Sequence, residues 1–263
     1  MDLAIRGRRA LVGGGSSGLG RAVADRLAAE GCDLAIWARR EPPLTVVAAD
    51  LRARHGVRVE TIIADAADPA AAEYVAGRAV ELLGGVDILL LNAGSPPVSD
   101  PEATDVDAWT AAFRLLATTP IDLATRLMPS MRAAGWGRVT AILSYAIRQP
   151  ITTLSYSNAG RSALAAWLKT VSRVVASDGV TVNGVLPGRF ETARIHQLDE
   201  AAAQRTGQSV EAARSAQIAS IPIGRYGEPD ELAAFVAWLS SEPARYQTGT
   251  FTAIDGGLIL GLP

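Results

Sequence analysis

Apolar residues come in two rhythms along the chain. Short apolar runs, bounded by glycine, proline and polar clusters, alternate with longer stretches where apolar residues return every three to four positions. The short runs predict strands near 8–12, 33–37, 57–63, 86–91, 137–143, 180–185 and 250–254. The periodic stretches predict helices near 18–30, 44–55, 69–83, 106–134, 156–177 and 228–240. Runs such as Asp87-Ile88-Leu89-Leu90-Leu91 lack a polar face, as a strand covered on both sides requires. Strand and helix alternate throughout, which predicts an α/β fold: a doubly wound, seven-stranded, mostly parallel sheet with helices on both faces. In such a sheet a ligand sits at the carboxyl ends of the strands.

Composition narrows this picture. The 263 residues fit one large domain, 1–263, and 49% hydrophobic against 20% charged residues allows a substantial core. A net charge of −2 without a long basic run argues against a nucleic-acid partner. No apolar run reaches the ~18 residues of a membrane span, so no membrane partner is expected. The N-terminal stretch does not read as a signal peptide. The single cysteine, Cys32, excludes an internal disulfide framework, fits a reducing cytoplasm and is expected in the core. With only two histidines, His55 and His196, no metal site is expected.

The candidate chemistry begins at the first strand-to-helix turn, Gly13-Gly14-Gly15-Ser16-Ser17-Gly18-Leu19-Gly20. Gly14, Gly18 and Gly20 let the backbone turn sharply and let a pyrophosphate approach main-chain N–H groups at a helix N-terminus. Taken alone, such a turn is also an ordinary connection; its place after the first strand points to a dinucleotide. After the second strand Ala38 stands where an NAD site offers an acid to the ribose, and Arg39 and Arg40 follow. Arginines there suit a 2′-phosphate, or else are simply solvated. Asp65 offers an acceptor to an adenine amino group, or caps a turn. Asn92-Ala93-Gly94 closes the fourth strand, Asn92 holding backbone and Gly94 leaving space. The loop Ser95–Pro101, with Asp100, is expected to form a pocket wall.

These motifs, with Val182-Asn183-Gly184-Val185-Leu186-Pro187-Gly188, Ile223-Gly224-Arg225-Tyr226-Gly227-Glu228-Pro229 and Ile254-Asp255-Gly256-Gly257, resemble the short-chain dehydrogenase/reductase family over essentially the whole length. The resemblance is to an atypical subgroup similar to β-ketoacyl-carrier-protein reductases. It implies a Rossmann-type NAD(P)-binding domain with a substrate lid at about 189–221. It further implies a cofactor lying along Gly14, Ser16, Ser17, Gly18, Leu19, Gly20, Arg39, Arg40, Asp65, Ala66, Asn92, Ala93, Gly94, Arg161, Pro187, Gly188 and Thr192. The family's usual threonine at the head of the glycine motif is Gly13, which removes a hydroxyl that pins the turn.

The family's tetrad of Asn, Ser, Tyr and Lys is altered here. Ser144 ends the fifth strand; thirteen residues on stands Ser157, and four further Arg161. The 22 residues from Arg161 to Asn183 match the family's lysine-to-asparagine spacing. This alignment leaves Tyr156 one position away, turned about 100° around the helix, and puts Leu116 at the asparagine position. A tyrosine of pKa ~10 beside a lysine exchanges protons readily, whereas serine is a far weaker acid and arginine stays protonated. The candidate catalytic residues are therefore Ser144, Tyr156, Ser157 and Arg161, with either Tyr156 or Ser157 as the acid. Arg148, Arg189, Arg194 and His196 are candidates to face the pocket, where they would suit an anionic or polar small molecule. Pro120 has no N–H for the Leu116 carbonyl, which predicts a kink and a contact from Arg161 to that carbonyl, directly or through one water.

The expected function is a cytoplasmic, homo-oligomeric (dimer or tetramer) NADP(H)-dependent oxidoreductase acting on a carbonyl or alcohol, NAD(H) being less suited. Two alternatives stay open: a lyase, isomerase or cyclase reusing the pocket, and a non-catalytic cofactor-binding subunit.

Overall fold

The computed structural model describes residues 1–99, 101–102 and 105–261. Seven strands, β1 (Arg9–Gly13), β2 (Asp33–Ala38), β3 (Val59–Ile63), β4 (Ile88–Leu91), β5 (Gly137–Ile142), β6 (Val180–Pro187) and β7 (Phe251–Ile254), form one sheet in the order β3-β2-β1-β4-β5-β6-β7. Every pairing in it is parallel. The helices are α1 (Gly18–Ala29), α2 (Glu41–His55), α3 (Ala71–Leu83), α4 (Val106–Phe113), α5 (Thr119–Ala133), α6 (Ser155–Val175), α7 (Ala193–Thr206), α8 (Val210–Ala219) and α9 (Pro229–Leu239). Residues of α1, α2 and α9 share one core with one face of the sheet. Those of α3, α5 and α6 share a second core with the other. This Rossmann-type architecture is the one expected, with all strands rather than most of them parallel.

Between β1 and β4 the winding reverses, because the chain leaves β3 at one edge and re-enters beside β1. The helices on the two sides diverge there, and a crevice opens beyond the strand ends. Arg9 fixes the opposite end of this seam: its Nε and Nη2 donate to the Asp87 carboxylate at 2.9 and 2.6 Å, and its backbone N–H donates to the same group at 2.9 Å.

Two elements differ from expectation. Helix α2 begins three residues early, at Glu41, because Pro42 and Pro43 fall in its first turn, where no N–H is needed. The single helix expected over 106–134 is broken. A π-helical turn, Arg114–Thr118, separates α4 from α5, and the Thr119 N–H reaches back to the Arg114 carbonyl. Pro120 lies in the next turn with no N–H to donate, so the break falls where a regular hydrogen-bond ladder could not continue. The segment expected as a lid folds into α7 and α8, joined at Gly207 in the left-handed region with φ of 67°.

Candidate active site

A cleft of about 970 Å³ lies at the switch point, bounded by the loops that follow β1, β2, β3, β4, β5 and β6. At its floor the β1–α1 turn needs its glycines. Gly14 and Gly18 have φ of +63° and +54°. A Cβ on Gly20 would lie 2.4 Å from the Gly14 carbonyl oxygen, so the turn and helix could not close together. Ser17 caps α1 without a side-chain bond, and the first turn carries no acidic residue. The N–H groups there face the cleft beside a helix dipole that favours an anion.

Gly13 has its own reason. A Cβ at that position would meet the Asn92 carbonyl oxygen at 2.4 Å. The end of β4 lies too close for a threonine, and the turn is pinned instead by the Asn92 amide, which donates to the Gly13 carbonyl at 3.0 Å.

Gly14, Ser16, Ser17, Gly18, Leu19, Arg39, Arg40, Asp65, Ala66, Asn92, Ala93, Gly94, Pro187, Gly188 and Thr192 all line the cleft, as do Ser144, Ser157 and Arg161. Gly20 lies behind it and acts through packing. Arg39 is 73% exposed, with Nη1 3.8 Å from Asp65 Oδ2. Asp65 also accepts from the Ala67 N–H at 3.0 Å, so it serves its own turn and still faces the cleft. Thr192 caps α7, accepting from the Ile195 N–H. Its Cγ2 lies 3.5 Å from where a Gly18 Cβ would be, so the root of the α7–α8 segment rests on the glycine turn.

At the other end, Ser144 closes β5 and its Oγ accepts from the Ala146 N–H at 3.1 Å. Ser157 Oγ accepts from Arg161 Nε at 3.2 Å, and Arg161 Nη1 donates to the Ile142 carbonyl at 2.7 Å. The guanidinium is thus clamped between the first turn of α6 and the end of β5. It is 9% exposed. Burial, reinforced by the charge of Arg194, pushes it down to about 10, which leaves it protonated at neutral pH.

Several expectations are corrected here. Tyr156 does not line the cleft. It is buried edge-on against Trp109 of α4, ring centroids 4.6 Å apart. One position of helical rotation separates it from Ser157. Arg161 makes no direct hydrogen bond to the Leu116 carbonyl, its donors going to Ser157 and Ile142; Leu116 sits against Gly160, one residue and about 100° away on α6. Arg148 turns away and donates to the Phe251 carbonyl at 2.7 Å. His196 is largely exposed beside Glu191, also outside the cleft. Arg189 and Arg194 do line it, as do Ser95 and Val98 of the loop after β4, whose Asp100 lies outside the described residues.

Tyr145 is among the lining residues that were not singled out from the sequence. It follows Ser144 and packs with Ile195, Ile221, Tyr226 and Leu258. Burial raises its phenol above the ordinary tyrosine value, and Arg189 draws it the other way. Its adjacency to the strand-end serine was the only local signal. Among the described residues no cluster of His, Cys, Asp and Glu could hold a metal ion. None of their helices is long and apolar enough to cross a membrane.

A parallel doubly wound sheet, with a glycine-lined crevice at its switch point, defines a nucleotide-binding class of α/β protein. A family model described as Enoyl-(Acyl carrier protein) reductase matches residues 14–259. The chain belongs to the short-chain dehydrogenase/reductase family. It is 31% identical to the D-beta-hydroxybutyrate dehydrogenase of Cupriavidus necator over 256 residues, 97% of this chain and 99% of that one. With the 3-oxoacyl-(acyl-carrier-protein) reductase of Salmonella typhimurium it shares 30% over 258 residues, 98% and 100% of the two chains. Among solved structures, L-sorbose reductase from Gluconobacter frateurii, complexed with NADPH and L-sorbose, superimposes with a TM-score of 0.94 at 32% identity, covering 100% of both chains.

Proposed function

We propose that the protein is an NADP(H)-dependent oxidoreductase interconverting a carbonyl and an alcohol through a non-standard site. The observation that carries this reading is the single cleft that joins the glycine turn and Arg39 at one end to Ser144, Ser157 and Arg161 at the other. The N–H groups at the start of α1 suit a pyrophosphate, and Asp65 suits the adenine amino group. The exposed guanidiniums of Arg39 and Arg40 suit a 2′-phosphate, for which a planar donor fork is well matched. The relatives named above include an NADPH complex and act on hydroxy or oxo compounds by their names, which supports the same assignment.

A bound nicotinamide supplies or accepts the hydride. The chain's own residues hold the oxygen on which charge develops. Ser144 and Ser157 can donate to that oxygen, and the fixed charge of Arg161 stabilises its anion. Neither group is a proton source of the tyrosine type, so the factor of ~10²–10⁴ that general acid catalysis supplies is reduced here. Serine and arginine at these two positions favour a second reading: a protein that binds the cofactor but catalyses a non-redox reaction, or none. We further assign the active form to the cytoplasm and to a homo-oligomer.

Calorimetry with NADPH and NADH, followed by loss of NADPH absorbance over a carbonyl panel, tests both readings. NADPH is expected to bind more tightly, and Arg39→Ala to weaken it selectively. Equal affinity in the unaltered protein would sink the cofactor preference. Tight NADPH binding with no oxidation by any carbonyl would establish the second reading.

A further inference from the structure

The inner end of the cleft holds positive charge that no protein carboxylate balances. Arg161 lines it from α6, Arg194 from the first turn of α7, and Arg189 from the segment after β6. Burial lowers the pKa of both Arg161 and Arg194, and the charge of Arg194 lowers that of Arg161 further. Among the described residues, none of the three forms an ion pair; the nearby carboxylates are engaged elsewhere, Glu191 and Asp199 with Arg214, Asp65 with Arg39, and Asp255 with the Gly257 and Ile259 N–H groups. Asp199 also accepts from the Tyr226 hydroxyl at 2.9 Å.

The donors are also underused. A guanidinium has five N–H groups. Arg161 commits Nε to Ser157 and Nη1 to Ile142, and Arg194 commits Nη2 to the Pro96 carbonyl at 3.1 Å. The Nε of Arg189 is buried with no hydrogen-bond partner. Desolvated charges with spare donors are costly unless an anion completes them. The pyrophosphate of a dinucleotide has its own place at the glycine turn, at the opposite end from Ser144 and Ser157.

We propose that the substrate is an oxo acid or hydroxy acid, its carboxylate held by Arg194 and Arg189 at the edge of the Arg161 field while its carbonyl oxygen faces Ser144 and Ser157. This rests on the oxidoreductase reading for the reaction but not for the binding. A carboxylate accepts two parallel bonds from one guanidinium, and three cationic groups around one pocket reject neutral and cationic analogues of the same shape.

The protein loaded with NADPH is titrated calorimetrically with pyruvate, acetoacetate and levulinate, which space ketone from carboxylate differently, and with the methyl ester of each. NADPH oxidation is followed in parallel. At least one acid should bind about 10- to 100-fold more tightly than its ester. Arg194→Gln should abolish that ratio and Arg194→Lys should retain part of it. Arg189→Gln provides a second variant should Arg194→Gln misfold, and should lower the same ratio. Equal binding of every acid and its ester, or binding of none, overturns the proposal. So does an Arg194→Gln variant that weakens NADPH about tenfold and leaves the ratio intact, since the arginine would then serve the cofactor's phosphates. Acid-selective binding without NADPH oxidation upholds the carboxylate site and refutes the oxidoreductase reading. Oxidation of NADPH by acids and esters alike does the reverse.

Discussion

Tyr156 and Ser157 are neighbours in sequence but meet different surroundings. The ring of Tyr156 packs on Trp109, while the hydroxyl of Ser157 lies in the cleft against Arg161. Tyr156→Phe keeps the packing ring and is expected to leave most turnover intact. A loss near ~10³-fold without a change in cofactor affinity would return the acid role to Tyr156. Asp87 makes a prediction of a different kind. Burial pushes its carboxyl up, but the hydrogen bonds and charge from Arg9 outweigh this and hold it below the ordinary value. Its contribution to stability is therefore complete above its unfolded pKa of ~3.9 and is lost as pH falls through the folded value. Arg9→Ala should cost about 1–3 kcal/mol at neutral pH. Melting curves should show that this difference shrinks in acid; a constant difference down to the lowest pH would refute the coupling.

At the scale of elements, the break between α4 and α5 decides how closely the helices over the second core approach. Gly160 of α6 faces Leu116 of the π-helical turn, and a Cβ at Gly160 would meet Leu116 Cβ at 2.9 Å and Cδ1 at 3.1 Å. Gly160→Ala should destabilise by about 1–3 kcal/mol through overpacking. Leu116→Ala should cost about 2–5 kcal/mol by leaving a cavity. The double variant should cost less than the sum, because the new methyl enters part of the space left by the leucine. Strict additivity in denaturant titrations would show that the two elements do not share this contact. The strands and the glycine turn were readable because they depend on neighbours in sequence: unbroken apolar runs, and glycines where φ is positive. The π-helical turn was only half readable. Pro120 announced a break, but whether the ladder kinks or widens depends on what packs against it. Arg148 was misplaced because its partner, the Phe251 carbonyl, lies on a strand 103 residues away. Tyr145 escaped notice because its burial depends on Ile195, Ile221 and Leu258, none of which is near it in the chain.

For the whole molecule, the outer face of α4 and the π-helical turn stays uncovered. Val106 is 72% exposed, and Val106, Trp109, Thr110, Phe113, Arg114 and Thr118 form a shallow, largely apolar depression. Such a surface is suited to a second copy of the chain. Light scattering at micromolar concentration should give a dimer or tetramer, and Val106→Glu should shift it toward monomer; a monomer throughout would refute the assignment. A last consequence follows from the hydrogen bond between Arg194 and the Pro96 carbonyl, which joins the segment after β6 to the loop after β4 beside the cleft. With Thr192 seated over the glycine turn, a dinucleotide bound as proposed would have to pass this bond to leave, whereas a smaller reactant would not. Steady-state kinetics should then follow a compulsory order, with the cofactor first on and last off. The oxidised cofactor should compete with NADPH alone, and turnover at saturating substrate should be paced by the parting of that hydrogen bond rather than by bond-making at the carbonyl carbon.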